Sequence, residues 1–313
     1  MSPSTSRITS VSPLQAIEGS RVTITGGGFA IDPHLPEVRI GGVPARIAAA
    51  SAGALVAIVP PGLDGGRTPV RLEGVLGETA YVDIGAPLAT GLHLVDNPVF
   101  DPDGNLYVTF SGSRGQQAPV SIYRVGRDGS RSPFVAGIPN PTSLAFDADG
   151  HLFVSSRFDG SVHRVDRDGV VSTYAADLGV PCGIAFGPDG LLYVGDRSGS
   201  ILKVTGGRAT LIASLPPSVA AFHLAFGPDG WLYVTAPTLG STDRVYRVST
   251  AGQVETLCDG FGRPQGLAFD ARGSLYVVEA LACFSCDQFP EDRLFRFPLH
   301  LHPCSCVRIQ PTV

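Results

Sequence analysis

Four cysteines crowd into 24 residues, as Cys283-x2-Cys286 and then Cys304-x-Cys306, with His300 and His302 between them. Four thiolates in two close pairs suit either a tetrahedral Zn²⁺ or two disulfides. The second pair lies in a stretch that reads as a strand, where alternate side chains share a face. From Ala282 onward the chain also leaves the pattern of the residues before it, so this tail reads equally as an insertion or an altered reading frame. Cys182 and Cys258 stand alone in apolar surroundings and read as small buried side chains. A second set of polar residues recurs just ahead of a repeated apolar core: Asp96 and Asn97, Asn140 and Thr142, Cys182, His223 beside Phe222, and Gln265. A third set follows the next apolar run, at Ser155, Ser156, Asp196, Thr235 and Glu279. Carboxylates, amides and hydroxyls converging at strand ends are the donors a hard cation or a polar ligand requires.

What must bring these side chains together is a β framework. The chain has 313 residues, 43% of them apolar, with 39 Gly and 26 Pro, which implies many turns between short elements. Charged residues make up 16% and the formal net charge is −5, with no basic block, so a nucleic-acid footprint is excluded. No apolar run approaches the ~18 residues of a membrane span. The opening MSPSTSRITSVSP carries neither a charged leader nor an apolar stretch, so no export signal is visible. The compartment reads as cytoplasmic as written, and as extracellular or periplasmic if a longer product was trimmed.

Residues 7–86 alternate apolar and polar positions in short runs at 8–11, 22–25, 38–40, 54–59 and 70–72, separated by turn residues. That spacing argues a β-sandwich. The phrases ITSVSP, EGSRVTITGGGF, VRIGGVPARI and ALVAIVPPGLDGGRTPVRL resemble the IPT/TIG domain, an immunoglobulin-like fold, over nearly the whole segment. The resemblance implies scaffold roles, in turns and core, for Pro13, Gly26 to Phe29, Gly41-Gly42 and Pro60.

Beyond residue 86 the grammar changes. The phrases NPVFDPDGNLYV, PTSLAFDADGHLFV, PCGIAFGPDGLLYV, FHLAFGPDGWLYV and PQGLAFDARGSLYV place a Phe at 100, 146, 186, 226 and 269. Each phrase is strand, hairpin turn, strand, and a third strand follows, as in SIYRVGRDG or SVHRVDRDG. A fourth is clear in RSPFVAG, VVSTYAA and QVETLC. Four strands per repeat make one blade of a β-propeller over 87–313. Five repeats are visible. The segment 87–98 looks like a strand that closes a ring, and 304–310 looks like an outer strand of the fifth repeat, so the ring reads as five-bladed or as an incomplete six-bladed one. The five phenylalanines are expected in equivalent buried positions. Tyr107, Phe153, Tyr193, Tyr233 and Tyr276 are expected between blades, and Arg124, Arg164, Lys203, Arg247 and Arg296 at a solvated or blade-bridging position.

The repeat resembles the NHL type and the related SMP-30/gluconolactonase propellers. That likeness implies a divalent cation such as Ca²⁺ on the channel axis, which polarises a lactone carbonyl and activates water. The family's first ligand, a Glu, corresponds to Asp96 in DNPVF, and its acidic strand ends to Asp196 and Glu279. Its Asn ligands correspond to Thr142, Cys182, Phe222 and Gln265, none of which is Asn. Virginiamycin B lyase-like propellers use His and Glu near a metal, for which His223 and Glu279 are the counterparts. The missing Asn set favours a non-enzymatic recognition protein, binding a small-molecule, carbohydrate or protein partner on a propeller face, over a metal-dependent lactonase.

Overall fold

The computed structural model describes residues 6–73, 79–85, 97–111, 118–219, 222–240, 242–261, 263–270, 273–280 and 292–297. These form an all-β protein, and no helix is long and apolar enough to cross a membrane. The chain divides into two compact units that part between Pro87 and Leu88.

The first unit holds β1 (Arg7–Ser12), β2 (Gln15–Ile17), β3 (Arg21–Gly27), β4 (Val38–Ile40), β5 (Val43–Ala50), β6 (Ala54–Ile58), β7 (Gly66–Leu72) and β8 (Ala80–Gly85). Their order is β1-β3-β6-β5-β4-β7-β8-β2, and β5 links two layers. Its first residues, Val43 to Ala45, pair with β4, whereas Arg46 to Ala50 pair with β6. Alternation supplies the core: Val22 and Ile24, Val38 and Ile40, Leu55 and Ala57, Val70 and Leu72, Val82 and Ile84 are all buried. Gly41 and Gly42 close the β4–β5 hairpin with φ of 63° and 83°. Two successive positive φ values are what a two-residue turn matched to strand twist demands. Gly26 is needed for space, since a Cβ there would lie 2.1 Å from the Arg7 carbonyl oxygen.

The second unit is a succession of propeller blades. Blade 1 comprises β9 (Val99–Phe100), β10 (Leu106–Thr109), β11 (Ile122–Val125) and β12 (Arg131–Val135). Blade 2 comprises β13 (Pro141–Phe146), β14 (Leu152–Ser156), β15 (Ser161–Val165) and β16 (Val171–Ala175). Blade 3 comprises β17 (Pro181–Phe186), β18 (Leu192–Asp196), β19 (Ser200–Thr205) and β20 (Arg208–Ser214). Blade 4 comprises β21 (His223–Phe226), β22 (Leu232–Thr235), β23 (Asp243–Val248) and β24 (Val254–Phe261). In blade 5, β25 (Pro264–Phe269), β26 (Leu275–Ala280) and β27 (Asp292–Phe297) are described. All pairings within these sheets are antiparallel, and the first strands of blades 2 to 5 pack in succession. The segment 304–310 lies outside the described residues, as does 87–98 apart from Asn97 and Pro98.

The blades are joined by edge-to-face aromatic pairs. Tyr107 meets Phe146 at 5.3 Å, Phe153 meets Phe186 at 4.9 Å, Tyr193 meets Phe226 at 4.9 Å and Tyr233 meets Phe269 at 5.0 Å between ring centroids. In each pair the second strand of one blade supplies one ring and the first strand of the next supplies the other. Phe146, Phe186, Phe226 and Phe269 are half-buried where full burial was expected, and Phe100 departs furthest, at 61% exposed. Its place is that of the receiving ring, and among the described residues no ring covers it.

Candidate functional site

Every first strand of blades 2, 3 and 5 carries a bulge near its start. Pro141 pairs with Ser156 but Leu144 with Val154, Pro181 with Asp196 but Gly183 with Gly195, and Pro264 with Glu279 but Leu267 with Val277. One extra residue on the first strand is thereby accommodated, which re-aims side chains locally. Thr142, Cys182 and Gln265 occupy these bulges. Thr142 is 2% exposed and its hydroxyl donates to the Asn140 carbonyl at 3.2 Å, while Cys182 is 4% exposed. Phe222, the corresponding residue of blade 4, is 1% exposed. It fits because blade 3 offers glycines there: a Cβ on Gly183 would lie 2.3 Å from the Phe222 carbonyl oxygen, and one on Gly195 3.0 Å from the Phe222 Cβ.

Asn97 and Asn140, each before a proline, have φ of 45° and 44°. Asn tolerates this left-handed region better than other non-glycine residues, so backbone conformation accounts for its choice. Asn97 Nδ2 also donates to Ser143 Oγ at 2.7 Å, linking blades 1 and 2. Ser143 Oγ accepts from Ile184 N of blade 3 at 3.3 Å, and its own N–H donates to Ser155 Oγ at 3.0 Å. Ser143 went unseen in the sequence because a small polar residue two places into P-x-x-L carries no signal until the bulge is known. Asp196 is buried at the end of β18, and its Oδ1 accepts from Val180 N at 2.7 Å while Oδ2 accepts from Ser198 Oγ. His223 is half-buried and faces Thr235 across the ladder. For Gln265 and Glu279 the description is of backbone, and Asp96, Cys283, Cys286, Cys304 and Cys306 lie outside the described residues.

At the opposite end of the sheets, each hairpin turn is fastened to its second strand. Asp101 and Asp270, first in their turns, accept from Tyr107 and Tyr276 hydroxyls, each at 3.2 Å. In blades 3 and 4 the carboxylate has moved two positions on, to Asp189 and Asp229, and reaches Tyr193 and Tyr233 at 2.9 and 2.8 Å. The vacated position is then glycine, since a Cβ on Gly187 or Gly227 would lie 2.6 Å from that carboxylate's Oδ1. Blade 2 has Phe153 in place of tyrosine, and Asp147 Oδ2 is met by His151 Nδ1 at 3.0 Å instead. Asp147, Asp149 and His151 thus lie within 4.8 Å of one another, a grouping of metal-ligating types that serves turn geometry, with Asp147 Oδ1 accepting from Asp149 N and His151 N. The cation of the third strand also belongs here. Lys203 Nζ is 2.8 Å from Asp189 and Arg247 Nη1 3.6 Å from Asp229, so these partly exposed residues bridge turn to sheet within one blade, while Arg124 is exposed. Burial, with the Asp229 hydrogen bond second, pushes the Tyr233 phenol up to about 12.

One concavity combines shape with an unusual polar group. It is a half-open cleft of about 210 Å³ near the start of β23, at the same end of the sheet as Asp196. Pro216, Ala236 and Tyr246 form its walls, with Thr238, Thr242 and the buried Asp243 among its polar lining. Sequence reasoning missed Asp243, whose neighbours S-T-D-R resemble any polar loop.

Residues 6–82 match the IPT/TIG domain family. A search of the curated proteins finds no match. Among solved structures, a protein of unknown function from Bacteroides thetaiotaomicron superposes with a TM-score of 0.53 at 14% identity, over 95% of this chain and 84% of that one. Virginiamycin B lyase from Staphylococcus aureus gives 0.53 at 16%, over 90% and 86%. A structural-genomics target described as a candidate gluconolactonase gives 0.50 at 20%, over 66% and 80%. At these identities the likeness is one of fold. It supports an IPT/TIG domain joined to a propeller-like arrangement.

Proposed function

We propose that this chain is a non-enzymatic recognition protein, with a separately folded immunoglobulin-like module at 7–86 and a propeller at 87–313 that binds a small molecule, carbohydrate or protein partner on one face. The observation that carries this reading is the closure of the bulge positions of blades 2 and 3 and of the matching position of blade 4. Thr142, Cys182 and Phe222 stand where a lactonase-like propeller would offer amide oxygens to a cation, and each is at most 4% exposed. Asp196, a candidate ligand, has both carboxylate oxygens engaged by protein donors.

The competing reading is a metal-dependent lactonase with Asp96, Asp196 and Glu279 around an axial Ca²⁺, a lone carboxylate set short of the six or more oxygens such an ion takes. Thermal melting with millimolar Ca²⁺, beside a lactone-hydrolysis assay, separates the two. The expected result is no rise in melting temperature and no turnover, because stabilisation follows RT ln(1 + [L]/Kd) only where a site binds. A shift of several degrees that vanishes in Asp96→Ala, together with hydrolysis, would make the protein an enzyme. For the cysteine tail we propose a structural Zn²⁺ site or two disulfides on Cys283, Cys286, Cys304 and Cys306, which thiol counting with and without chelator and reductant distinguishes.

A further inference from the structure

Asp243 differs from the other carboxylates at its end of the sheets. Asp159 accepts from Ser161 N through Oδ1, and its Oδ2 meets His163 Nε2 at 3.1 Å, while Asp196 spends both oxygens on Val180 and Ser198. Asp243 spends only one. Its Oδ1 accepts from Thr238 N at 2.9 Å and from Thr238 Oγ1 at 2.6 Å, and Thr238 Oγ1 is itself held by Gly240 N at 3.0 Å. Its Oδ2 is buried and, among the described residues, is the one buried side-chain polar atom without a hydrogen-bond partner. The residue is 3% exposed and lines the cleft.

An acceptor oxygen left over in a desolvated place costs free energy that a donor must offset. Both donors already on this carboxylate are neutral, and no ion pair involves it among the described residues. The remaining charges of the cleft, Arg244 and Asp259, are exposed and face each other across the β23–β24 ladder, so formally they cancel. What remains is one buried carboxylate, fixed in orientation by two hydrogen bonds, in a cleft that Tyr246 also lines. A neutral hydroxyl would satisfy the lone pair but leave the charge, whereas a cationic nitrogen satisfies both. The volume, about 210 Å³, is below the ~300 Å³ at which drug-sized pockets begin, so it suits a head group and not an oligosaccharide.

We infer that this cleft binds a small organic cation, a primary ammonium or guanidinium head group, through Asp243 Oδ2. The inference rests on the recognition reading above and gives it a ligand class. Calorimetric titration of the full chain with butylamine and with methylguanidine is the test, with butanol, methylurea and glucose as neutral counterparts. The expected result is millimolar affinity for the two cations and none for the neutral compounds. In Asp243→Asn the Thr238 hydrogen bonds are kept while Oδ2 becomes an amide donor, and the affinity should fall about tenfold or more. Should that variant not fold, Thr242→Trp fills the cleft mouth from an exposed position and should cause the same loss. Absence of cation binding, equal affinity in wild type and either folded variant, or equal binding of the neutral compounds would overturn the inference. Lactone hydrolysis with Ca²⁺ would overturn the recognition reading instead, and the two failures are seen in different assays.

Discussion

A single phenolic oxygen decides where the turn carboxylate of a blade is held. In blade 4, Tyr233 donates to Asp229, while Arg247 approaches that carboxylate at 3.6 Å and Glu255 at 2.6 Å. Removing the hydroxyl in Tyr233→Phe should cost about 1.5–3 kcal/mol, the ordinary worth of a hydrogen bond to a charged acceptor, read from chemical denaturation. The sign of the accompanying pH effect follows from the raised phenol. Its contribution to stability is complete below the ordinary value of 10.0 and is lost as pH climbs through about 12. The stability of the wild type should therefore fall across that interval more than that of Tyr233→Phe. The turn aspartates and the repeated aromatics were both legible in the sequence, but only as turn formers and packing. Their bond was not, because the carboxylate shifts by two places between blades and only the folded hairpin reveals that both placements reach the same hydroxyl.

Strands were legible because each repeat alternates apolar and polar residues around a D-x-D-G, G-P-D-G or D-A-R-G turn, and the first three strands of each blade fall where that pattern places them. Bulges were not, since P-T-S-L and P-C-G-I look like uninterrupted strand. Bulges in blades 2, 3 and 5, and glycines beside blade 4, set what these positions hold. Gly183 and Gly195 admit Phe222, so the position that holds Thr142 in blade 2 and Cys182 in blade 3 is here a packed ring. Gly183→Ala should cost about 3 kcal/mol, because its Cβ meets backbone that cannot retreat. Gly190→Ala should cost about 1 kcal/mol, since nothing lies within 4 Å and only its φ of 72° is unfavourable. Denaturant melts of the two variants check the contrast. The expectation for Phe100 failed at this same scale: a sequence repeat shows equivalent positions but not whether a neighbouring blade covers each one.

For the molecule as a whole, two compact units imply two folding units. Residues 7–86, expressed as a fragment, should fold alone into a β-rich domain with a cooperative melt by circular dichroism, since β1 to β8 bury their own apolar face. An unstructured fragment would contradict the proposed boundary. The second unit carries a further consequence, in the direction of its aromatic pairs. Among the described residues, each aromatic pair between blades runs from the second strand of one blade to the first strand of the next, so each unit has a giving side and a receiving side. Such an array can lengthen by tandem duplication without redesign, because a copied interior blade arrives with both halves of the contact already matched to its neighbours. A blade inserted with its order of strands reversed would bring two giving sides together, and the array would have no way to read it.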